Sequence, residues 1–167
     1  PRVYNGWTKT KAKKRVDEDA AKGVATAFRC ANTIIDDIAK MPLQVFNSFQ
    51  GETRRIYPNQ ATRNNAYLLE RQPNRWMDPI TFKRVAMNWL LWWGNAYIWN
   101  PPSIFPELFI LDASQTYPTF DQAGNKWYAT KFPNGKEELI PDAEMVHLMI
   151  NTKNGLYGLS VLEYARE

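Results

Sequence analysis

The chain has 167 residues, 44% of them hydrophobic and 23% charged, the make-up of an ordinary globular protein and the length of one domain. A chain of that size buries roughly two thirds of the surface its unfolded form exposes, so its core depends on neither metals nor disulfides. The formal net charge is +4, but six cations and no acid fall within Pro1 to Arg15, so the rest is slightly acidic and a uniformly basic nucleic-acid module is excluded.

The basic start carries Arg2, Lys9, Lys11, Lys13, Lys14 and Arg15. A solvated, mobile tail over residues 1–16 is the stronger reading of such a run. Its alternative is phosphate contact by Lys9, Lys11, Lys13, Lys14 and Arg15 through counterion release. Residues 17–167 are expected to form a single domain.

Asp17, Glu18 and Asp19 place acids where a helix start favours them, and Val24, Phe28, Ala31, Ile35 and Ile38 then recur at helical spacing. One helix to about Met41 follows, stopped by Pro42. Leu43 to Phe46 and Thr53 to Tyr57 read as a strand pair around a turn at Asn47 to Gly51. A short helix over Thr62 to Arg71 ends before Pro73 and Asn74. The next helix has the clearest ends in the chain: Asp78 as N-cap, Pro79 in the first turn, and Gly94 as the left-handed terminator. Phe82, Val85, Trp89 and Trp93 form one face of it, while Leu90 and Trp92 make it apolar on nearly every side, as in a helix buried on more than one side.

Asn95 follows Gly94, and the bulky Tyr97, Ile98 and Trp99 suit a strand. Beyond Pro101 the pattern changes to short strands at Leu108 to Leu111, Thr116 to Phe120, Lys126 to Phe132, Glu138 to Ile140 and Met145 to Ile150. Their alternation predicts an α+β fold, helices packed on a mainly antiparallel meander. Asn154 and Gly155 make a turn, and Ser160 with Glu163 forms a capping box opening a last helix. The chain stops two turns into that helix, so it is expected to be the amino-terminal share of a longer protein.

Chemical signatures are sparse. Cys30 is the lone cysteine and His147 the lone histidine, too few for a recognisable zinc site, and no cofactor is expected. Without a bridge-forming pair or an apolar leader, a reducing, cytoplasmic setting is expected. His147 lies on one face of an apolar strand, where a satisfied structural histidine is expected. Asp36, Asp37 and Glu144 read as solvated carboxylates. Gly155 and Gly158 lack the lysine and spacing of a phosphate-binding loop and are assigned to backbone geometry. The tryptophans of the 78–94 helix read as core rather than as stacking platforms for bases. The most apolar stretch, Val85 to Trp99, is interrupted by Asn88, Gly94 and Asn95 and falls short of the roughly 20 residues that span a bilayer, so no membrane partner is expected.

Several segments together resemble tailed-bacteriophage portal proteins. The helix from Gly23 running into Pro42-Leu43-Gln44-Val45 is similar to the family's opening helix and "lPl.v" strand. Leu68 to Met77 with Phe82 resembles "LL..PN..mt...F", and Gly94 to Tyr97 resembles "GNAY". Ala143 to Leu148 is similar to "eiiHi", and Gly155 to Leu162 to "dGl.GlSpl", with Val161 in place of the usual proline. The resemblance covers about residues 20–167, with a short, proline-rich Asn100 to Pro106 connection as a departure.

The resemblance implies a wing-like region of a ring of about twelve copies at one capsid vertex. It further implies that double-stranded DNA passes through that ring without sequence specificity, and that terminase motor, capsid and neck or tail proteins are partners. Assembly would take place in the host cytoplasm and residence in the virion. Pro42, Pro73, Asn74, Asp78, Gly94, Asn95, Tyr97, Gly155, Gly158, Ser160 and Glu163 would then be architectural. A stand-alone nucleic-acid-binding module, using the basic start and the aromatics, is the rival reading.

Overall fold

The computed structural model describes residues 25–152 and 154–164. The basic start with Lys9 to Arg15, and the acids at 17 to 19, lie outside the described residues.

Helix α1 spans Ala25–Lys40 and ends before Pro42, as its sequence dictates. It buries Ile35 and Ala39 against α3 (Pro79–Trp93), and Arg84 of α3 donates to Asp36 at 2.9 Å. Phe28, from the expected stripe, is exposed. Strands β1 (Val45–Phe49) and β2 (Glu52–Ile56) form a hairpin. Its turn is tighter than the sequence indicates, because Gln50 and Gly51 take φ of 50° and 84°, the two-residue geometry matching strand twist. Asn47 and Ser48 therefore belong to the strand.

Helix α2 (Asn65–Glu70) starts three residues later than expected. Arg63 is left-handed at φ 45°, and Asn64 caps the helix by accepting from the Tyr67 N–H at 2.9 Å. Helix α3 has the expected ends. Asp78 accepts from the N–H groups of Ile80 and Thr81 at 2.8 and 2.9 Å, and Gly94 closes the helix at φ 73°. These bonds stabilise the Asp78 carboxylate and hold its pKa below the ordinary value, the Thr81 N–H contributing most. Phe82, Ala86 and Trp92 are buried, and no residue from Val85 to Trp93 is fully exposed.

The remaining strands are β3 (Asn95–Trp99), β4 (Phe109–Leu111), β5 (Thr116–Phe120), β6 (Lys126–Lys131), β7 (Glu137–Pro141) and β8 (Met145–Met149). A short 3-10 turn, Asp142–Glu144, precedes β8, and α4 is Val161–Tyr164. The fold is α+β with antiparallel pairing throughout, and the strands divide among sheets. Only β5-β6-β7 is a meander. β8 returns to pair with β3, giving the order β4-β3-β8. Strand β3 has the apolar content for this central place.

The alternation of β3 assigns its two faces. Ala96 is buried on the side packed by α3, while Tyr97 faces the second sheet. The core between the two sheets comprises Tyr97, Leu111, Tyr128, Ile140 and Met145, with Trp99 and Phe132 packed at its margin. The layers therefore run α1, α3, the β3 sheet, the β6 sheet.

Candidate functional site: the asparagine-centred junction

Two chain segments distant in sequence cross where α3 turns into β3. Gly94 and Gly158 meet backbone to backbone: a Cβ at Gly94 would lie 2.3 Å from the Leu159 carbonyl carbon, and one at Gly158 only 1.9 Å from the Gly94 oxygen. Both must be glycine for steric reasons, and Gly94 for its positive φ as well. The Ile150 N–H donates to the Gly94 carbonyl and the Leu159 N–H to that of Ile150, both at 3.0 Å.

Asn95 sits at the crossing with its amide fully used. Its Nδ2 donates to the Trp93 carbonyl at 2.9 Å and the Gly158 carbonyl at 3.0 Å. Its Oδ1 accepts from the Gly158 N–H at 2.8 Å and contacts His147 Nε2 at 2.9 Å. Two donors and one two-lone-pair acceptor are thereby all engaged. Because Oδ1 only accepts, His147 carries its proton on Nε2 and donates it.

His147 is thus held by Asn95, but where the sequence predicts a satisfied histidine only one nitrogen has a partner: its Nδ1 is buried without one among the described residues. The ring stacks on Tyr97, centroids 4.3 Å apart, and takes an edge contact from Tyr128 at 5.6 Å. Burial pushes its pKa down to about 4, nearby Lys126 pushes it the same way, and Asp142 opposes only in part. Burial also raises the Tyr97 phenol. The imidazole is therefore neutral at pH 7.

The last helix starts from the same junction. Ser160, buried, accepts from the Glu163 N–H, and Glu163 accepts from the Ser160 N–H, both at 3.1 Å, so the predicted capping box is present. Gly94, Asn95, Tyr97, Gly158, Ser160 and Glu163 are thus gathered at or beside one point. Gly155 lies apart, at φ 70° with no atom near its Cβ position, in a turn pinned by Asn154 and Thr152.

Pro73 and Asn74 belong to a second cluster. Both are buried. Asn74 donates to the Leu108 carbonyl at 2.8 Å and accepts from the N–H groups of Trp76 and Met77 at 2.9 Å each, while the Leu108 N–H donates to the Pro73 carbonyl at 2.8 Å. Arg63 reaches the Pro106 carbonyl at 2.9 Å, and Arg75 pairs with Glu107 at 2.8 Å. The segment 100–108 is clamped at its base, where the sequence predicts a short, proline-rich connection at Asn100 to Pro106 and a strand from Leu108. Arg63, Arg75, Glu107 and the His147–Asn95 contact were all missed because their partners are 32 or more residues away. Pro42 stands apart, ending α1.

Glu144 is not merely solvated, since it accepts from Trp99 Nε1 at 3.1 Å. Among the described residues no group of His, Cys, Asp and Glu is placed to hold a metal, and no helix is long and apolar enough to cross a membrane.

Two outcomes follow from the crossing. Gly158→Ala should lower unfolding free energy by about 3 kcal/mol or more, since backbone must move to admit the methyl. Gly155→Ala, left-handed but uncrowded, should cost only about 1 kcal/mol; chemical denaturation of the two variants compares them. For His147, the folded-state pKa lies below the ordinary 6.5, so its contribution is complete above about pH 6.5 and is lost as pH falls toward 4, where the unfolded chain takes up the proton first. As the sole histidine, it should give one NMR ring titration near 4, and His147→Gln should flatten the loss of stability over that pH range. A midpoint near 6.5 would contradict the buried, neutral assignment.

Residues 25–167 match a family model described as phage portal protein. Among solved structures, the neck of an empty gene transfer agent particle computed with C6 symmetry contains a similar chain: TM-score 0.66, 21% identity, 87% of this chain and 38% of that one covered. A chain in the virion of the native gene transfer agent particle matches at TM-score 0.64 and 19% identity, covering 87% and 37%. The neck of the native particle computed with C12 symmetry gives TM-score 0.64, 19% identity, and coverage of 87% and 37%. At these identities the likeness is one of fold, and the chain spans less than two fifths of the chains it matches. No curated protein matches it. With the family model aligned to residues 25–167, a span that holds every described element, the chain belongs to the phage portal protein family.

Proposed function

We propose that the chain is the amino-terminal share of a structural portal subunit, which assembles into a ring at one capsid vertex. Such a ring serves as conduit for DNA in packaging and ejection, and as attachment point for terminase motor, capsid and neck or tail proteins. The observation that carries this reading is the family match over residues 25–167, which takes in both the Asn95 junction and the clamped 100–108 segment. The C6 and C12 symmetries named for the similar necks support a ring, and the virion supports residence in the particle; assembly in the host cytoplasm is part of the same proposal.

The chemistry at the junction fits an architectural role. An asparagine amide, two glycines and a neutral histidine hold backbones at fixed separation; none of them is a nucleophile set beside a base. In this reading residues 17–167 form one wing-like domain and residues 1–16 a solvated basic start, in which Lys9, Lys11, Lys13, Lys14 and Arg15 are the groups that would meet DNA phosphates if the start touches DNA. Contacts of that kind carry no sequence information, which suits a conduit through which any sequence slides.

Native mass spectrometry of the complete subunit should show a ring of about a dozen copies. Only monomer at micromolar concentration would overturn the portal reading. The fragment should bind duplex DNA weakly and only at low salt, with equal affinity for two unrelated sequences, and deletion of residues 9–15 should abolish that binding. Sequence-selective binding retained by the deleted form would favour the nucleic-acid module instead.

A further inference from the structure

Among the exposed apolar groups of the described residues, two surfaces differ in shape and carry no charge at their centres. The first is the tip of the 100–108 segment, where Ile104 is 92% and Phe105 69% exposed. Its base is rigid: Asn74, Arg63 and the Pro73–Leu108 backbone bond hold it, and Pro101, Pro102 and Pro106 restrict its dihedrals. From Asn100 to Pro106 it has no charged side chain, and its nearest sequence neighbour with a charge, Glu107, is already paired with Arg75. A tip without free cations is not built for phosphate, and a preformed aromatic knob loses little freedom on docking.

The second surface is the outer face of the β5-β6-β7 sheet. Register puts Tyr117, Ala129 and Leu139 in one row across the three strands, and Thr119, Trp127 and Pro141 in the next. Tyr117 is 45% and Leu139 63% exposed, with Ala129 and Trp127 half-buried between them. The usual pattern is partly inverted, because the inner face holds the buried Thr116–Thr130 hydroxyl pair at 2.8 Å while the outer one carries Tyr, Trp and Leu. Charges stand only at its ends, Asp121 by the Trp127 indole and Lys131 opposite Glu137.

We propose that these are the two halves of one head-to-tail interface: the Ile104–Phe105 tip of one copy seats on the Tyr117–Trp127–Leu139 face of the next. The inference rests on the ring reading above. A cyclic ring needs two different, complementary surfaces on the same chain, displaced from one another. The knob and the flat face meet that need, both being apolar and uncharged where they would touch, so that neither buries an unpaired ion.

The test uses the full-length subunit with Cys30→Ser and any cysteine beyond residue 167 likewise replaced. Phe105→Cys and Leu139→Cys are made in separate chains, which are mixed during assembly and then oxidised. Disulfide-linked pairs should form in the mixture at least tenfold above either variant alone. Phe105→Asp and Leu139→Asp should each lower the ring fraction at least tenfold at equal concentration, with circular dichroism reporting a retained fold. Self-linking of Phe105→Cys at the level of the mixture would mean a two-fold contact and overturn the proposal. So would absence of cross-linked pairs in rings that still form, as when another part of the same chain or a different virion protein covers the face. Rings that persist in both Asp variants would do the same, leaving the ring reading intact. Failure of the Cys30→Ser parent to form any ring would instead defeat both readings together.

Discussion

The contact between the Gly94 and Gly158 backbones is the constraint on which the rest of the structure depends. Two main chains at van der Waals distance leave their peptide groups cut off from water, and each such group needs a partner. A single side chain, Asn95, supplies partners on both strands of the crossing, donating to the Trp93 and Gly158 carbonyls and accepting from the Gly158 N–H. An amide is suited to this because it offers two donors and an acceptor in one plane without charge. Aspartate, nearly isosteric, would face the two carbonyls with no donor at all.

From that crossing the layers follow. The end of α3 sets where β3 begins, β3 is the central strand between β4 and β8, and the 150–160 segment is carried back across the Gly94 turn. His147 on β8 reaches the same Asn95 oxygen, so pairing of β3 with β8 and docking of the 150–160 segment share one acceptor. Electrostatics support this arrangement passively. A protonated imidazole would bring a second cation near Lys126 and leave an N–H without an acceptor, so the neutral form prevails.

The Pro73–Asn74 cluster works on the same principle at the other end of β3. Asn74 turns the chain into α3 and simultaneously holds Leu108 at the entry to β4. Each asparagine thus joins one end of α3 to a remote segment, and the helix is located at both ends by side-chain amides, fully buried at Asn74 and half-buried at Asn95, rather than by its apolar surface alone. That surface, apolar nearly all round, would pack in several orientations. The amides select one.

Sequence by itself determined the local features. Asp78, Pro79 and Gly94 mark α3 because capping, a fixed φ and a positive φ are properties of single residues, and the Ser160–Glu163 box is legible because its partners are three residues apart. The alternation of Met145 to Ile150 revealed a strand, and several weak motifs in order revealed the family. Sequence could not show that Gly94 and Gly158 touch, that Asn95 serves both, or that His147 is the fourth partner, since these contacts close loops of 50 residues and more. It misplaced the β1–β2 turn and the start of α2, where positive φ at Gln50 and Arg63, residues with no special liking for it, was imposed by the surroundings. Nor could the composition of β5, β6 and β7 say which face would be covered. Period-two alternation defines two faces, and only the packing of Tyr128 and Ile140 against Tyr97 and Met145 decided which of them lies inside.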